Sequence, residues 1–362
     1  MDYQSSGVSI VSGDLASKLA YQNAKKTFSA RDGLMGSPLQ MDSGFSGALD
    51  FGDFLLVQND DGVGTKMEIA EYTKNFSTIG QDLVAMVADD AICIGAETVT
   101  ISNTIDTPAV DPSIIDQMTK GLAEACQREK IIVPGGEIAE LGNALNKIVW
   151  NATAVGIVKK NRLIDGKKIQ PGNFLVGLRE PMMRSNGFSL ARCIGEKYLG
   201  TRWYHANFEN GKTWGDVLLT PSKIYNRLLL DHLIGDFENP KDHAILGIAH
   251  ITGGGIPGNL ARIFSEKNLG ALIDEPHKPA RAIKAMQEMA EIDEYECYRT
   301  WSCGNGMILV FATQSEAEKS CETLNQADKT VEAKIIGRTT DTPEIKIISG
   351  FSEKSLSFRR EN

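Results

Sequence analysis

The segment Asp61-Gly62-Val63-Gly64-Thr65-Lys66 brings a carboxylate, two glycines, a hydroxyl and an ammonium into six residues. Those are the parts of a turn that cradles an anion on backbone N–H groups. The spacing does not fit G-x-x-x-x-G-K-[ST], and a glycine-rich hairpin turn with a surface lysine accounts for the same residues. Further on, Asp82 and Asp89 are seven residues apart, so on a helix they share a face to within roughly 20°, with Asp90 beside them. Their neighbours Leu83, Val84, Met86 and Val87 make that helix apolar nearly all round. Carboxylates in such a setting need a cation or hydrogen-bond donors. Mg²⁺, which takes oxygen ligands and bridges phosphates, is one partner; a solvated acidic face is the alternative. Gly135-Gly136-Glu137, with Glu140 a turn later, adds acid after a short apolar run, either at a site or in an exposed connection.

Gly253-Gly254-Gly255-Ile256-Pro257-Gly258 matches G-x-G-x-x-G, with Asp274 about 20 residues on. It lies in the last third of the chain and does not open a βαβαβ half, so a dinucleotide fingerprint is rejected. Thr252 and the three glycines read instead as a nest of phosphate-binding amides. His250 is either a base or a hydrogen-bonded structural residue. Ser185-Asn186-Gly187 reads as a helix start that caps the helix or presents amides to an anion, with Arg184 supplying charge. Cys303, after Tyr298-Arg299-Thr300, lacks a histidine signature for a nucleophile.

The elements that must position these residues alternate β-branched runs with helical patterns, an α/β (α+β) layered class. Strands are expected at 54–58, 98–103 and 148–158, with helices at 79–92, where Thr78 is the N-cap, and 112–129. The polar stretch 159–173 is the expected boundary between a domain at 1–165 and one at 170–345. Beyond it come strands at 174–178, 244–251, 271–274, 307–311 and 331–336. The helices expected there are 187–198, 222–234, 259–266, 280–290 and 315–324. Residues 346–362 read as a frayed polar tail.

At 362 residues the chain exceeds one core. With 38 Lys and Arg against 47 Asp and Glu, the net charge of −9 argues against nucleic acid or anionic lipid as partner. No run of apolar residues is long enough to cross a membrane, and the N-terminus has no basic, apolar leader, so the expected location is cytoplasmic. The six cysteines form no C-x-x-C pair and are expected to be reduced and mostly buried.

In this order, DGVGTK (61–66), IGQDLVAM (79–86), GAE (95–97), GGE (135–137), SNGFSL (185–190), AHITGGG (249–255) and YRT with CGNGM (298–307) resemble the phosphoribosylformylglycinamidine cyclo-ligase family over nearly the whole chain. The resemblance implies two α/β domains, the N-terminal ones pairing in a homodimer around an ATP groove without a P-loop. It also implies ATP-driven closure of the imidazole ring of a ribonucleotide substrate, with release of ADP and phosphate. By motif position it assigns Asp61, Asp82, Asp90 and Glu137 to nucleotide-bound Mg²⁺. Gly62, Gly64, Thr65, Lys66 and Gly136 face the nucleotide, with Lys66, Asp61 and Asp90 catalytic. Arg184, Ser185, Asn186, His250, Thr252, Gly253, Gly254 and Gly255 hold substrate or phosphate.

The chain departs from the family pattern at Asp60 and Asp89, in place of a hydroxyl residue and an asparagine, and at Arg184, in place of a histidine. Leu141-Gly142-Asn143 replaces Met-Pro-Gly, and Gln4, Ser5 and Ser9 replace Lys, Asp and Asp. The alternatives are a sister ATP-dependent enzyme, such as thiamine monophosphate kinase, selenophosphate synthetase or the hydrogenase maturation dehydratase, and a nucleotide-binding paralogue with weakened catalysis. No early cysteine suits the selenium enzyme and no terminal cysteine the dehydratase.

Overall fold

A computed structural model describes residues 10–39, 44–264 and 268–359. Gln4, Ser5, Ser9 and the end of the helix expected at 259–266 lie outside them. The first half comprises α1 (Ile10–Lys25), β1 (Ser37–Pro38), β2 (Gly47–Asp50), β3 (Phe54–Gly62), α2 (Lys66–Thr73), α3 (Ile79–Ile92), β4 (Glu97–Thr107), α4 (Pro112–Glu129), β5 (Gly136–Glu140) and β6 (Val149–Lys159). Its six strands form one sheet in the order β1-β2-β3-β6-β4-β5, antiparallel except for β4 with β5. Along β3, Leu55, Val57 and Asn59 turn to the buried face, while Gln58 and Asp60 turn away, the period of two that a half-covered strand demands.

Helix α3 covers the buried face, and α4 packs on α3. Gly80 and Gly121 make that approach possible, since a Cβ on either would run into the backbone of Leu122 or Ser77. Pro112 opens α4 at its first position, and Asp111 caps it by accepting from the Ser113 amide at 2.8 Å. Thr78 does not cap α3: its hydroxyl instead donates to the Leu219 carbonyl at 3.1 Å.

The second half begins with β7 (Phe174–Arg179), α5 (Phe188–Leu199), the hairpin β8 (Asn207–Glu209) and β9 (Lys212–Thr213), α6 (Trp214–Leu218) and α7 (Asn226–Leu229). There follow β10 (Ile245–His250), α8 (Gly255–Arg262), β11 (Gly270–Ile273), α9 (Arg281–Ala290), α10 (Glu294–Thr300), β12 (Asn305–Phe311), α11 (Gln314–Ala327), β13 (Lys334–Thr340), β14 (Glu344–Ile348) and β15 (Ser355–Arg359). Seven strands form the sheet β10-β12-β7-β13-β11-β14-β15. One apolar cluster runs unbroken from Leu83, Val84 and Val87 of α3 to Leu175, Ile308 and Leu309 of the second sheet. The two halves therefore share a core.

Four segments differ from the sequence expectation, the first being the helix expected at 259–266, which runs over Gly255–Arg262. The supposed frayed tail contributes β14 and β15, paired antiparallel from Glu344 opposite Arg359 to Ile348 opposite Ser355. The helix expected at 222–234 begins only at Asn226 and continues as a π-helical turn at Leu230–Ile234, because the amides of Ser222 and Tyr225 are drawn to carboxylates of α3. The Gly-Gly-Glu connection is largely strand: β5 adds parallel to β4 through the α4 crossover. Among the described residues no helix is long and apolar enough to cross a membrane.

Candidate active site

Three loops from different parts of the chain meet. Gly64, after β3, has a left-handed backbone and sits against the Ser185 carbonyl, while the Ser189 hydroxyl at the start of α5 donates to Thr65 Oγ1 at 3.3 Å. Gly253 lies against the Asn186 amide group. Asn259 of α8 shapes the glycine run by donating to the carbonyls of Gly253 and Gly255 at 3.0 and 2.9 Å. Gly255 is required twice over, by its φ of +60° and because a Cβ would strike the Tyr298 carbonyl. Ser185 Oγ and Asn186 Oδ1 are buried and have no hydrogen-bond partner. Buried polar atoms without partners are costly, and a ligand's phosphate or amide would satisfy these two. Thr252 stands at the same loop, its hydroxyl 3.5 Å from Asn259 Oδ1.

Beside the loops, Asp61 continues the buried alternation of β3 and faces Asp90 at the end of α3. Burial first, and then the neighbouring Asp90 carboxylate, push Asp61 up to about 7. Burial likewise pushes Asp90 to about 7, although its side chain retains 13% exposure. His250 Nδ1 lies 2.7 Å from Asp90 Oδ1. Burial, reinforced by Arg184 and Arg262, pulls this imidazole well below its ordinary value, so the ring is neutral, and above about pH 7, where Asp90 is ionised, the contact requires Nδ1–H as donor. Among the described residues neither aspartate is ion-paired with Lys or Arg, and no three His, Cys, Asp or Glu side chains gather as a metal cage. Two desolvated carboxylates are the donor set that Mg²⁺ takes when phosphates and waters complete its shell.

Several of the residues expected at the site have partners elsewhere in the fold. Lys66 does not front the loop: its side chain is 0% exposed, and its ammonium donates to Asp82 and to the Thr220 carbonyl, both at 2.8 Å. Asp82 is equally buried, and its Oδ1 also accepts from the Ser222 amide and hydroxyl at 2.8 and 2.6 Å, while its Oδ2 has no hydrogen-bond partner beyond the ion pair with Lys66. Arg184 is buried between Asp89 and Glu180, at 2.7 and 2.8 Å. Gly136 and Glu137 lie on β5, three strands from β3 and so about 14 Å from it. Glu137 shares a row with Thr104, Asn151 and Gly62, and the last three line a pocket of about 520 Å³ together with Asp60 and Asp61. Cys303 is buried, its thiol pushed well above the ordinary value by burial, so it is no nucleophile.

Sequence reasoning missed Arg262. At the end of α8 it donates to the Gly44 carbonyl at 2.6 Å, stacks over Phe45 at 4.0 Å, and acts electrostatically on Asp61, Asp90 and His250. It borders a cleft of about 1160 Å³ lined also by Tyr21, Phe28, Phe45 and Asp60. Its only signal in sequence was a cation closing the helix that follows the triple glycine.

The comparisons with known proteins agree with one another. Residues 46–158 match the model of the AIR synthase related protein N-terminal domain, and residues 170–350 that of the C-terminal domain. The phosphoribosylformylglycinamidine cyclo-ligase of Methanococcus maripaludis strain C7 is 32% identical over 343 residues, 95% of this chain and 93% of its own. The enzyme of the same name from Thermococcus kodakarensis is 33% identical over 347 residues, 96% and 98% of the two chains. In fold, the hydrogenase maturation protein HypE in complex with ATP superposes with a TM-score of 0.59 at 15% identity, over 86% of each chain. T. maritima PurL complexed with ADP gives 0.56 at 14% identity, over 88% of this chain and 46% of that one.

Proposed function

The chain belongs to the phosphoribosylformylglycinamidine cyclo-ligase family of AIR synthase related enzymes, and from that premise we propose that it closes the imidazole ring of formylglycinamidine ribonucleotide at the expense of ATP. The observation that carries this reading is the meeting of Asp61 and Asp90 with the unpartnered Ser185 and Asn186 and the Gly253-Gly254-Gly255 loop. The reaction runs in two parts. The formamide oxygen attacks the γ-phosphorus and ADP leaves; the amidine nitrogen then attacks the activated carbon, phosphate departs and the nitrogen loses its proton. The second part is intramolecular, so holding the substrate folded supplies much of it.

Asp61 and Asp90 would hold Mg²⁺, whose charge, once bound, would offset the negative charge that gathers as the phosphoryl group is transferred. His250 keeps the Asp90 carboxylate turned for that task. Ser185, Asn186, Thr252 and the glycine amides hold phosphate, and Arg262 adds positive charge from the side of the cleft. That cleft, with Phe45, Phe28 and Tyr21 in its walls, has the size and the aromatic faces for a purine nucleoside. The test is to supply formylglycinamidine ribonucleotide and Mg-ATP and follow aminoimidazole ribonucleotide by its diazo colour together with ADP. Equal amounts of both are expected; ATP binding without either product overturns the proposal.

The same reading includes a homodimer formed through the N-terminal sheet. Edge strand β5 exposes Ile138 at 45%, and Val133, Leu141 and Val149 are exposed near it. A partner on this edge would also give Glu137 a site to serve. Sedimentation is expected to give twice the chain mass, and Ile138→Asp with Leu141→Asp to shift it to the monomer; a native monomer refutes the pairing.

A further inference from the structure

The departures at Asp89 and Arg184 meet in the fold. Arg184 Nη2 donates to Asp89 Oδ2 at 2.7 Å and to the Ala85 carbonyl at 3.2 Å, both on α3. Its Nη1 donates to Glu180 Oε2 at 2.8 Å and to the Lys223 carbonyl at 3.0 Å, both in the second half. Asp89 uses its other oxygen to accept from the amides of Tyr225 and Asn226 at 2.8 and 2.9 Å. All three side chains are fully buried, and burial pushes the Asp89 and Glu180 carboxyls up while the guanidinium beside them pulls them back down. Burial alone would lower the guanidinium, but Glu180 and Asp89 hold it above its ordinary value, so it is charged throughout. A planar fork with two arms on one helix and two on the other half is a rigid brace that a lysine could not copy.

The brace reaches the site along two short paths. Asp89 is adjacent in the chain to Asp90, which His250 holds. Arg184 itself has a left-handed backbone, φ +58°, and is followed directly by Ser185 and Asn186 with their unpartnered polar atoms. An arginine pays for that backbone only where its side chain is firmly held.

We propose that Arg184 is the positioning residue of this site: fixed on Glu180, it sets the roll of α3 through Asp89, and with it the geometry in which Asp90 meets His250. The proposal rests on the reading above for the role of Asp90, and its test separates the two. The chain has five histidines, so ¹⁵N-histidine labelling at pH 8, with His250→Gln for assignment, isolates the His250 ring. In the wild type its Nδ1 is expected protonated and its Nε2 bare. Arg184→Met is expected to move the ring toward the opposite tautomer and to cut kcat at least tenfold, with KM for ATP within threefold.

Glu129→Ala serves as control. Glu129 accepts from the Arg227 amide and the Asn226 side chain at 2.8 and 3.2 Å, steadying the same segment without touching Arg184. It is expected to lower thermal stability and leave the His250 signals in place. A folded Arg184→Met with unchanged tautomer and kcat overturns the proposal, as does Glu129→Ala giving the same changes. Should Arg184→Met not fold, Asp89→Asn keeps the shape and an oxygen for the two amides, and the same signals are read there. A wild type that forms no aminoimidazole ribonucleotide, yet whose His250 tautomer responds to Arg184→Met, removes the proposed reaction and leaves the brace standing.

Discussion

Removing Asp82 tests whether Lys66 works in the core or at the phosphates. In Asp82→Ala the Lys66 ammonium, fully buried, keeps only the Thr220 carbonyl, and the Ser222 amide and hydroxyl lose their acceptor. Breaking a buried pair from one side costs about 3–5 kcal/mol, and each orphaned donor about 1–3 kcal/mol. These costs overlap, so about 5 kcal/mol is expected, a large part of the roughly 5–15 kcal/mol that holds a domain folded. At about 2.1 cal/mol/K per residue, 362 residues give an unfolding entropy of about 0.8 kcal/mol/K, and the midpoint falls by about 6 °C.

Lys66→Met is the milder change, because the Asp82 carboxylate keeps two donors from Ser222; about half the loss is expected, roughly 3 °C. The ordering of the two variants is what the geometry dictates. Buried Trp150, Trp203 and Trp301 report it by fluorescence during thermal unfolding. If Lys66→Met left the midpoint within 1 °C of wild type while turnover fell tenfold, the ion pair would be the wrong account and Lys66 would return to the phosphates.

Other substitutions probe the rest of the arrangement. Asp61→Asn is expected to cut turnover at least tenfold and, by removing one of two desolvated carboxylates, to stabilise the protein at pH 8 by about 1–3 kcal/mol in urea titrations; a loss of stability refutes the crowding of charge. Gly255→Ala should unfold at lower temperature and weaken nucleotide binding together, since the Cβ strikes the Tyr298 carbonyl; a neutral result would deny the tight loop. His277 is buried with Nε2 3.1 Å from the Gly177 carbonyl, and burial lowers it to about 4. The unfolded chain therefore takes up this proton first, so the stability His277 contributes is whole above pH 6.5 and shrinks by up to about 3 kcal/mol as pH falls toward 4. His277→Gln should flatten that part of the profile, and an unchanged slope between pH 7 and 4.5 would refute it.

The period of α3 and the demand that Asp82 and Asp89 find partners were legible in the sequence, because apolar neighbours all round leave a carboxylate no water. The partners were not. Ser222, Arg184 and the amides at Tyr225 and Asn226 are 95 to 140 residues away, and no local pattern encodes a contact that exists only once two sheets share a core. Mg²⁺ filled the gap in the sequence argument; lysine and arginine fill it in the fold. β5 was missed for a related reason. Its five residues are mostly exposed and lack a buried alternation, and what makes them a strand is the parallel ladder offered by β4.

One helix thus divides its acids by angle. Asp82 and Asp89 point the same way and hold Ser222 and Arg184 of the second half, while Asp90, about 100° further round, meets His250 and acts electrostatically on Asp61. A single step along the chain separates a carboxylate held by an arginine from one that meets a neutral imidazole. The aspartate at position 89 and the arginine at position 184 are then intelligible as a pair, each being costly to bury without the other.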